Sequence, residues 1–385
     1  MIIKQALQRQ MNIDDLIAKA TPGIFPTGRF AHLVDAALTP PNAAAAWEKY
    51  CHMLGAEQPN SGEARVFPLV AENLKKAGVK EQYSQLTLAR RKTVAQNELI
   101  LRAAAQVKDI FEHHGIDVVF TKGMALQIAE YRDPALRTFS DIDCCIRVAD
   151  IDRVAQLAAQ NGWNNFSNLV PQNRHIIEAH AEMTFQLPSG VSLDIHWVPR
   201  RVFAFCPSLI EAFFTSTEEV EWRGTTWRVP SADWRLLETI DHGVRANEVA
   251  PIRWVPDAIR LLENPANQFD WDFISDAAYK ARIGLVFAAA LTAIAPFHKS
   301  VTKENIARFD HPAGLLPRLE IKARMTPIRS SRNRLWIEFL HYFMLAPGHL
   351  GKRIMRFPSF LIKGAGRSRT TSDLFARVLL HRKSR

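Results

Sequence analysis

Apolar residues recur at helical spacing over residues 85–114, where Leu86, Leu88, Val94, Leu99, Leu101, Ala105, Val107 and Ile110 form one stripe. This predicts a long helix with one buried face, ended by Gly115 as its C′ glycine. The period then shortens. Residues 116–121 (IDVVFT) are β-branched and aromatic, which predicts a strand running into Lys122-Gly123. Residues 124–131 (MALQIAEY) return to helical spacing. A second strand is predicted around Phe139-Ser140-Asp141-Ile142-Asp143, which is followed by Cys144, Cys145, Ile146 and Val148. Residues 182–187 (EMTFQL) and 191–197 (VSLDIHW) flank Pro188-Ser189-Gly190 and predict a β-hairpin.

The remainder is mostly helical in pattern. Residues 219–222 and 225–229 predict a small strand pair around Arg223-Gly224, and helices are expected over 232–246, 255–262 and 271–294. Residues 1–83 alternate short helical patterns with Pro and Gly, and a helix over 43–54 is expected with Asn42 as its N-cap. Residues 335–345 predict a helix apolar almost all round. No internal repeat is present. Four parts follow: a helical region 1–84, a mixed unit 85–230, a helical cover 231–320 and a tail 321–385. The expected fold class is α+β, a mixed sheet with helices, flanked by helical regions at both ends.

Composition narrows the class. A hydrophobic content of 47%, with nine Trp and 22 Phe, argues for a packed protein and against disorder. Four cysteines (Cys51, Cys144, Cys145 and Cys206) are too few and too poorly spaced for a disulfide framework or a zinc site. The first twenty residues form an amphipathic pattern without the apolar core of a signal peptide, and no run reaches the roughly eighteen apolar residues of a membrane span. A reducing cytoplasm is the expected compartment. The charge is uneven: residues 321–385 hold 15 Lys and Arg against two acids, a net +13. The whole chain is +10, so the preceding 320 residues carry −3. Basic residues interleaved with Trp, Phe and Leu suit an anionic membrane surface or a nucleic acid, which would make the protein peripheral at a membrane or bound to RNA. The plainer alternative is a helix packed on the core and a solvated basic end.

The candidate chemistry lies on the strands. Alternation puts Asp141 and Asp143 on one face of theirs, and Asp194 with His196 on one face of the hairpin. Adjacent carboxylates repel unless a cation lies between them, and Mg²⁺ (or Mn²⁺) prefers oxygen ligands. Lys122-Gly123, between a strand and a helix, can present N–H groups and an ammonium to phosphate. Three carboxylates around a divalent ion suit phosphoryl or nucleotidyl transfer. Each residue also has a plainer role: Asp141 and Asp143 as an exposed edge or a cap, Lys122 as a solvated strand end, Asp194 paired with Arg137, and His196 as a hydrogen-bonded half-buried side chain.

The stretch 115–148, with Lys122-Gly123, Tyr131, Arg137 and Asp141-Ile142-Asp143, resembles the polymerase-β-like nucleotidyltransferase superfamily. More narrowly it is similar to a bacterial group of uncharacterised nucleotidyltransferases in which Lys-Gly replaces the usual Gly-Ser. The likeness extends through Asp194-Ile195-His196-Trp197, Asp241-His242-Gly243 and Arg253-Trp254-Val255-Pro256-Asp257, covering about residues 85–275. It implies that Asp141, Asp143 and Asp194 are catalytic and bind the metal, and that Asp194 helps deprotonate the incoming hydroxyl. Lys122 and Gly123 would meet the triphosphate, with Arg137, Ser140 and His196 as further nucleotide contacts. The implied reaction moves an NMP group from an NTP, expected to be ATP, to a hydroxyl or phosphate acceptor such as a peptide, a sugar-containing molecule or RNA. A toxin-like transfer to RNA or protein, and an inactive scaffold of the same fold, are the alternatives.

Overall fold

The computed structural model describes residues 12–79, 84–165, 181–204, 206–247, 249, 251–309, 314–326, 351 and 354–355. Its centre is a five-stranded mixed sheet built from β1 (Val118–Phe120), β2 (Asp141–Ile146), β3 (Asn164–Asn165), β4 (Glu182–Gln186) and β5 (Ser192–His196). The spatial order is β1-β2-β5-β4-β3, with β2 and β5 parallel and every other pair antiparallel. The hairpin read from alternation is β4-β5, and the register sets Asp143 directly beside Asp194.

Alternation gives the sheet two different faces. Ile142, Cys144 and Ile146 join Leu193 and Ile195 on the back face. There they pack against Ile100, Ala104, Val107 and Phe111 of a helix spanning Ser84–His113, and against Val154 and Leu157 of a helix spanning Ile151–Gln160. Gly115 leaves the long helix at φ +64°, the exit its sequence predicts. Asp141, Asp143, Asp194 and His196 are left on the front face. Cys144 and Cys145 are buried, free thiols on opposite faces.

The front is covered by helices from both ends of the chain. We number the helices α1 (Ile13–Lys19), α2 (Arg29–Leu38), α3 (Ala43–Leu54), α4 (Ser61–Ala64), α5 (Phe67–Lys76), α6 (Ser84–His113), α7 (Lys122–Leu126), α8 (Ile151–Gln160) and α9 (Pro207–Thr215). After the strand pair β6 (Thr217–Trp222) and β7 (Thr225–Pro230) come α10 (Ala232–Gly243), α11 (Trp254–Glu263), α12 (Trp271–Lys280), α13 (Gly284–Ile294), α14 (Lys303–Ala307) and α15 (Leu315–Met325). Leu33, Val34 and Trp47 from the N-terminal helices share one core with Trp234, Ile240, Ile259 and Phe287 from the later ones. The two helical regions are thus one packed body. The indole N–H of Trp254 donates to the Ile24 carbonyl at 2.7 Å and ties them together.

Four local expectations need correction. Asn42 makes no side-chain cap bond, because residues 40–42 form a 3₁₀ turn that places it in helical conformation. The helix expected over 271–294 is two helices, broken where Arg282 turns to φ +61°. Residues 127–131 wind as a π-helix, which α7 enters directly. The boundary drawn at 320/321 falls inside α15, where Ile321 and Met325 are buried and the Met325 carbonyl accepts from the Thr21 amide. Residues 335–345 and most of the basic tail lie outside the described residues. No described helix is long and apolar enough to cross a membrane.

Candidate active site

Strand β2 enters the site from a loop that helix α6 holds in place. The Asn97 side chain, fully buried, donates to the carbonyls of Pro134 and Arg137, and Gln96 donates to that of Phe139. The Arg137 guanidinium is bidentate on Asp257 of α11, both contacts at 2.9 Å, and Tyr131 donates to the same carboxylate. The third guanidinium nitrogen donates to the Gly123 carbonyl at 3.2 Å. A side chain at position 123 would begin 3.0 Å from that nitrogen and 3.2 Å from Phe139 Cβ, so glycine is what lets the loop close. Arg137 is therefore a buried brace between two loops and α11, and Asp194 is not its partner.

The turn after β1 is pinned from above. Lys122 adopts φ +49°, a left-handed conformation costing a non-glycine residue about 1 kcal/mol. Buried Glu238 of α10 offsets this by accepting from the Thr121 hydroxyl at 2.5 and 2.6 Å and from the Lys122 amide at 3.4 Å. Burial pushes the Glu238 carboxyl from 4.5 up to about 7, against the pull of Thr121 and Lys122. A carboxyl raised by folding stabilises the fold fully below its ordinary value, and that stability is lost as pH rises through the raised one. Glu238→Gln is therefore expected to flatten the fall in urea midpoint between pH 4.5 and 7. An unchanged slope would show that Glu238 ionises as it does in water.

The acids meet where expected, and Lys122 meets them. Its ammonium lies 2.6 Å from Asp143 Oδ1 and 2.9 Å from His196 Nε2. His196 Nε2 is also 3.0 Å from that carboxylate oxygen, and its Nδ1 is 3.2 Å from Glu182. Burial opposes the charge on Asp143, yet Lys122 and His196 hold its carboxyl well below the usual range. Asp194 is the opposite case. Burial pushes its carboxyl up to about 6 against a hydrogen bond from Thr184, and the Asp143 charge adds to the rise. Its Oδ1 is buried with no hydrogen-bond partner among the described residues. Asp141 is half-buried and raised by burial and then by Asp143, with Ser140 hydrogen-bonded to it.

Lys122, Gly123, Arg137, Ser140, Asp141, Asp143 and Asp194 line one cavity of about 390 Å³, a size that suits a nucleotide-sized ligand; His196, expected as a nucleotide contact, is buried and is not part of its lining. The cavity's basic wall was legible only in part, since the sequence likeness included His242 and Arg253 without giving them a role. Arg200, His242, Arg245, Arg65 and Arg253 also line the cavity. Asp241 anchors this wall by accepting from Arg200 at 2.6 Å and from Arg324 of α15 at 2.8 Å. Gly243 is required beneath it, because a Cβ there would lie 2.1 Å from Trp254. None of these long-range partnerships has a local signature.

No group of three His, Cys, Asp or Glu among the described residues is arranged as a ready metal cage. The donor set nonetheless fits a hard divalent ion. Three carboxylates share one face, one buried oxygen lacks a partner, and a lysine ammonium already neutralises Asp143.

The mixed sheet thus carries three acids on one face beside a cleft of nucleotide size. The chain belongs to the family of uncharacterised nucleotidyltransferases, whose model matches residues 61–297 and so spans all three acids. No curated protein matches it. Similar solved structures include the lincomycin-bound lincosamide antibiotic adenylyltransferase LnuA, at 15% identity and TM-score 0.30, covering 42% of this chain and 96% of that one. An antigenic nucleotidyltransferase-like protein from Paracoccidioides brasiliensis matches at 15% identity and TM-score 0.34, covering 56% and 93%. At those scores the family match alone carries the class.

Proposed function

We propose that the protein transfers a nucleoside monophosphate from an NTP, with ATP first to test, to a hydroxyl or phosphate acceptor and releases pyrophosphate. The observation that carries this is the register of Asp143 beside Asp194, with Asp141 on the same strand face and an unpartnered buried oxygen on Asp194. Asp141, Asp143 and Asp194 would hold Mg²⁺ or Mn²⁺. When bound, the ion neutralises phosphate charge and lowers the pKa of an attacking hydroxyl. The acceptor oxygen attacks the α-phosphorus, the bond to the bridging oxygen breaks, and pyrophosphate leaves with that electron pair. Asp194, whose buried Oδ1 has no hydrogen-bond partner among the described residues, would take the acceptor proton.

Lys122 then has two positions to serve. In the structure its ammonium neutralises Asp143; released from it, the same ammonium can reach a phosphate oxygen beside Gly123. Lys122→Ala is expected to tighten Mn²⁺ binding to the nucleotide-free protein and to raise the NTP KM more than it lowers kcat. Mn²⁺ affinity equal to or weaker than that of the wild type, read by electron paramagnetic resonance, would mean that the ammonium does not compete for the site.

The acceptor is a peptide, a sugar-containing molecule or RNA on this reading, and the basic residues after Met325 would bring an anionic membrane surface or nucleic acid to the enzyme. The test is incubation with each NTP labelled at the α- or γ-phosphorus, Mg²⁺ and a host-cell extract. Label from the α position should appear in a product, with pyrophosphate released. Transfer of the γ-label alone would replace nucleotidyl transfer with phosphoryl transfer.

A further inference from the structure

The basic wall of the cavity has a feature that the acid triad does not explain. Asp241 is shared between Arg200 and Arg324, so its charge is already matched within the fold. Arg245, two residues beyond α10, forms no ion pair with any described carboxylate, and its Nε is buried without a hydrogen-bond partner among the described residues. Its Nη2 faces the His242 ring at 3.4 and 3.5 Å, while Arg200 Nη1 approaches His242 Nδ1 at 3.2 Å. Two guanidinium groups therefore converge on one imidazole, and all three line the same cavity as Asp141, Asp143 and Asp194.

Electrostatics agrees with the geometry. Burial and then Arg200 pull the Arg245 guanidinium down to about 10. Burial, followed by Arg200 and Arg245, holds His242 well below the ordinary histidine range, so its ring stays neutral. The ring is open to the cavity although protein surrounds it on most sides. Two guanidinium groups crowded on one imidazole, with Asp241 shared among Arg200, Arg324 and the field at Arg245, mark a place where a multiply charged oxyanion would relieve repulsion and accept several charge-assisted hydrogen bonds.

We propose that Arg200, His242 and Arg245 form an oxyanion site that takes a phosphoryl group of a ligand bound in the cavity. Asp241, Glu320 and Arg324 position it: Arg324 bonds Glu320, the Asp241 carbonyl and the Asp241 carboxylate, and Asp241 in turn aims Arg200. The phosphoryl group has two sources, the triphosphate of the nucleotide or a phosphate on the acceptor. The site deepens the nucleotidyl-transfer reading without depending on turnover.

Calorimetry in chelator, with no divalent metal, tests it using sodium phosphate, tripolyphosphate and ATP as probes. Arg245→Gln is the first variant because Arg245 forms no ion pair with a described carboxylate whose loss would loosen the fold, and His242→Gln is the second. Both are expected to weaken phosphate and tripolyphosphate binding about tenfold or more, as loss of a charge-assisted hydrogen bond would, and Arg245→Lys should recover part of it. If ATP weakens in parallel and blocks phosphate, the site belongs to the nucleotide. If ATP affinity holds in Arg245→Gln, and phosphate binds wild type already saturated with a non-hydrolysable ATP analogue, the site belongs to the acceptor. Wild-type affinity for phosphate and tripolyphosphate in both Gln variants, or no binding of either anion by the wild type, would overturn it. A protein that binds phosphate through these residues but transfers no nucleotide would sink the transfer reading and leave the site standing.

Discussion

Replacing Asp194 with Asn is expected to abolish turnover while making the nucleotide-free protein more stable at neutral pH. Its carboxyl is raised from 3.8 to about 6, so the stability it contributes is complete at low pH and lost as pH rises through about 6. Asn keeps an acceptor for Thr184 and removes the charge, which should return about 1–2 kcal/mol at pH 7 after screening by solvent. Turnover should fall by about 10³-fold or more, since charge neutralisation at the phosphate contributes several kcal/mol and each 1.4 kcal/mol is tenfold. Asp143→Asn should lose turnover equally but with the opposite effect on stability. Its carboxylate compensates a buried ammonium, and the stability it contributes is present at neutral pH and lost only on acidification. Two adjacent acids considered alone would have predicted relief from removing either one. Thermal unfolding at pH 7 separates the variants. Destabilisation of both would show that Asp194 is not under charge stress, and activity retained by either would remove that acid from the chemistry.

Asp257→Asn is expected to cost the most stability. Arg137 is 4% exposed, and its two strongest contacts are to this one carboxylate, which also receives the Tyr131 hydroxyl. Removing one member of a buried pair leaves an uncompensated charge and costs about 3–5 kcal/mol. The same change loosens the Gly123 carbonyl, so nucleotide affinity should fall with stability. Urea unfolding reads the first effect and calorimetry with Mg·ATP the second. A loss below about 1 kcal/mol would mean that water reaches the pair. Replacing both partners by apolar residues of similar volume should be far milder than either single change.

The period-two pattern of the strands made much of the site legible in sequence. Once Ile142 and Ile195 must face a core, Asp141 and Asp143 share the other face of one strand, and Asp194 and His196 that of another. The short turn fixes the β4–β5 pairing, whereas the parallel β2–β5 pairing that brings the acids together has no local signal. The long helix and its glycine exit were legible for the same reason, since a stripe and a breaker are local signals. What stayed hidden depends on residues far apart in the chain. Glu238 reaches Thr121 across 117 positions, and Arg324 reaches Asp241 across 83. Charge counting placed Arg324 in the basic tail because composition does not reveal which guanidinium is buried. The break at Arg282 was missed because an arginine at positive φ carries no breaker signature. Lys122 was read as a phosphate ligand from its place after a strand, whereas the acids it faces lie on strands that pairing brings beside it.

The most direct measurement is a crystal soaked with Mn²⁺ and a non-hydrolysable ATP analogue, read by anomalous scattering. Manganese is expected among Asp141, Asp143 and Asp194, with the triphosphate inside the cavity and the Lys122 ammonium moved off Asp143. Nucleotide bound away from residues 122–143, or an occupied cavity with no metal at the three acids, would contradict nucleotidyl transfer at this site.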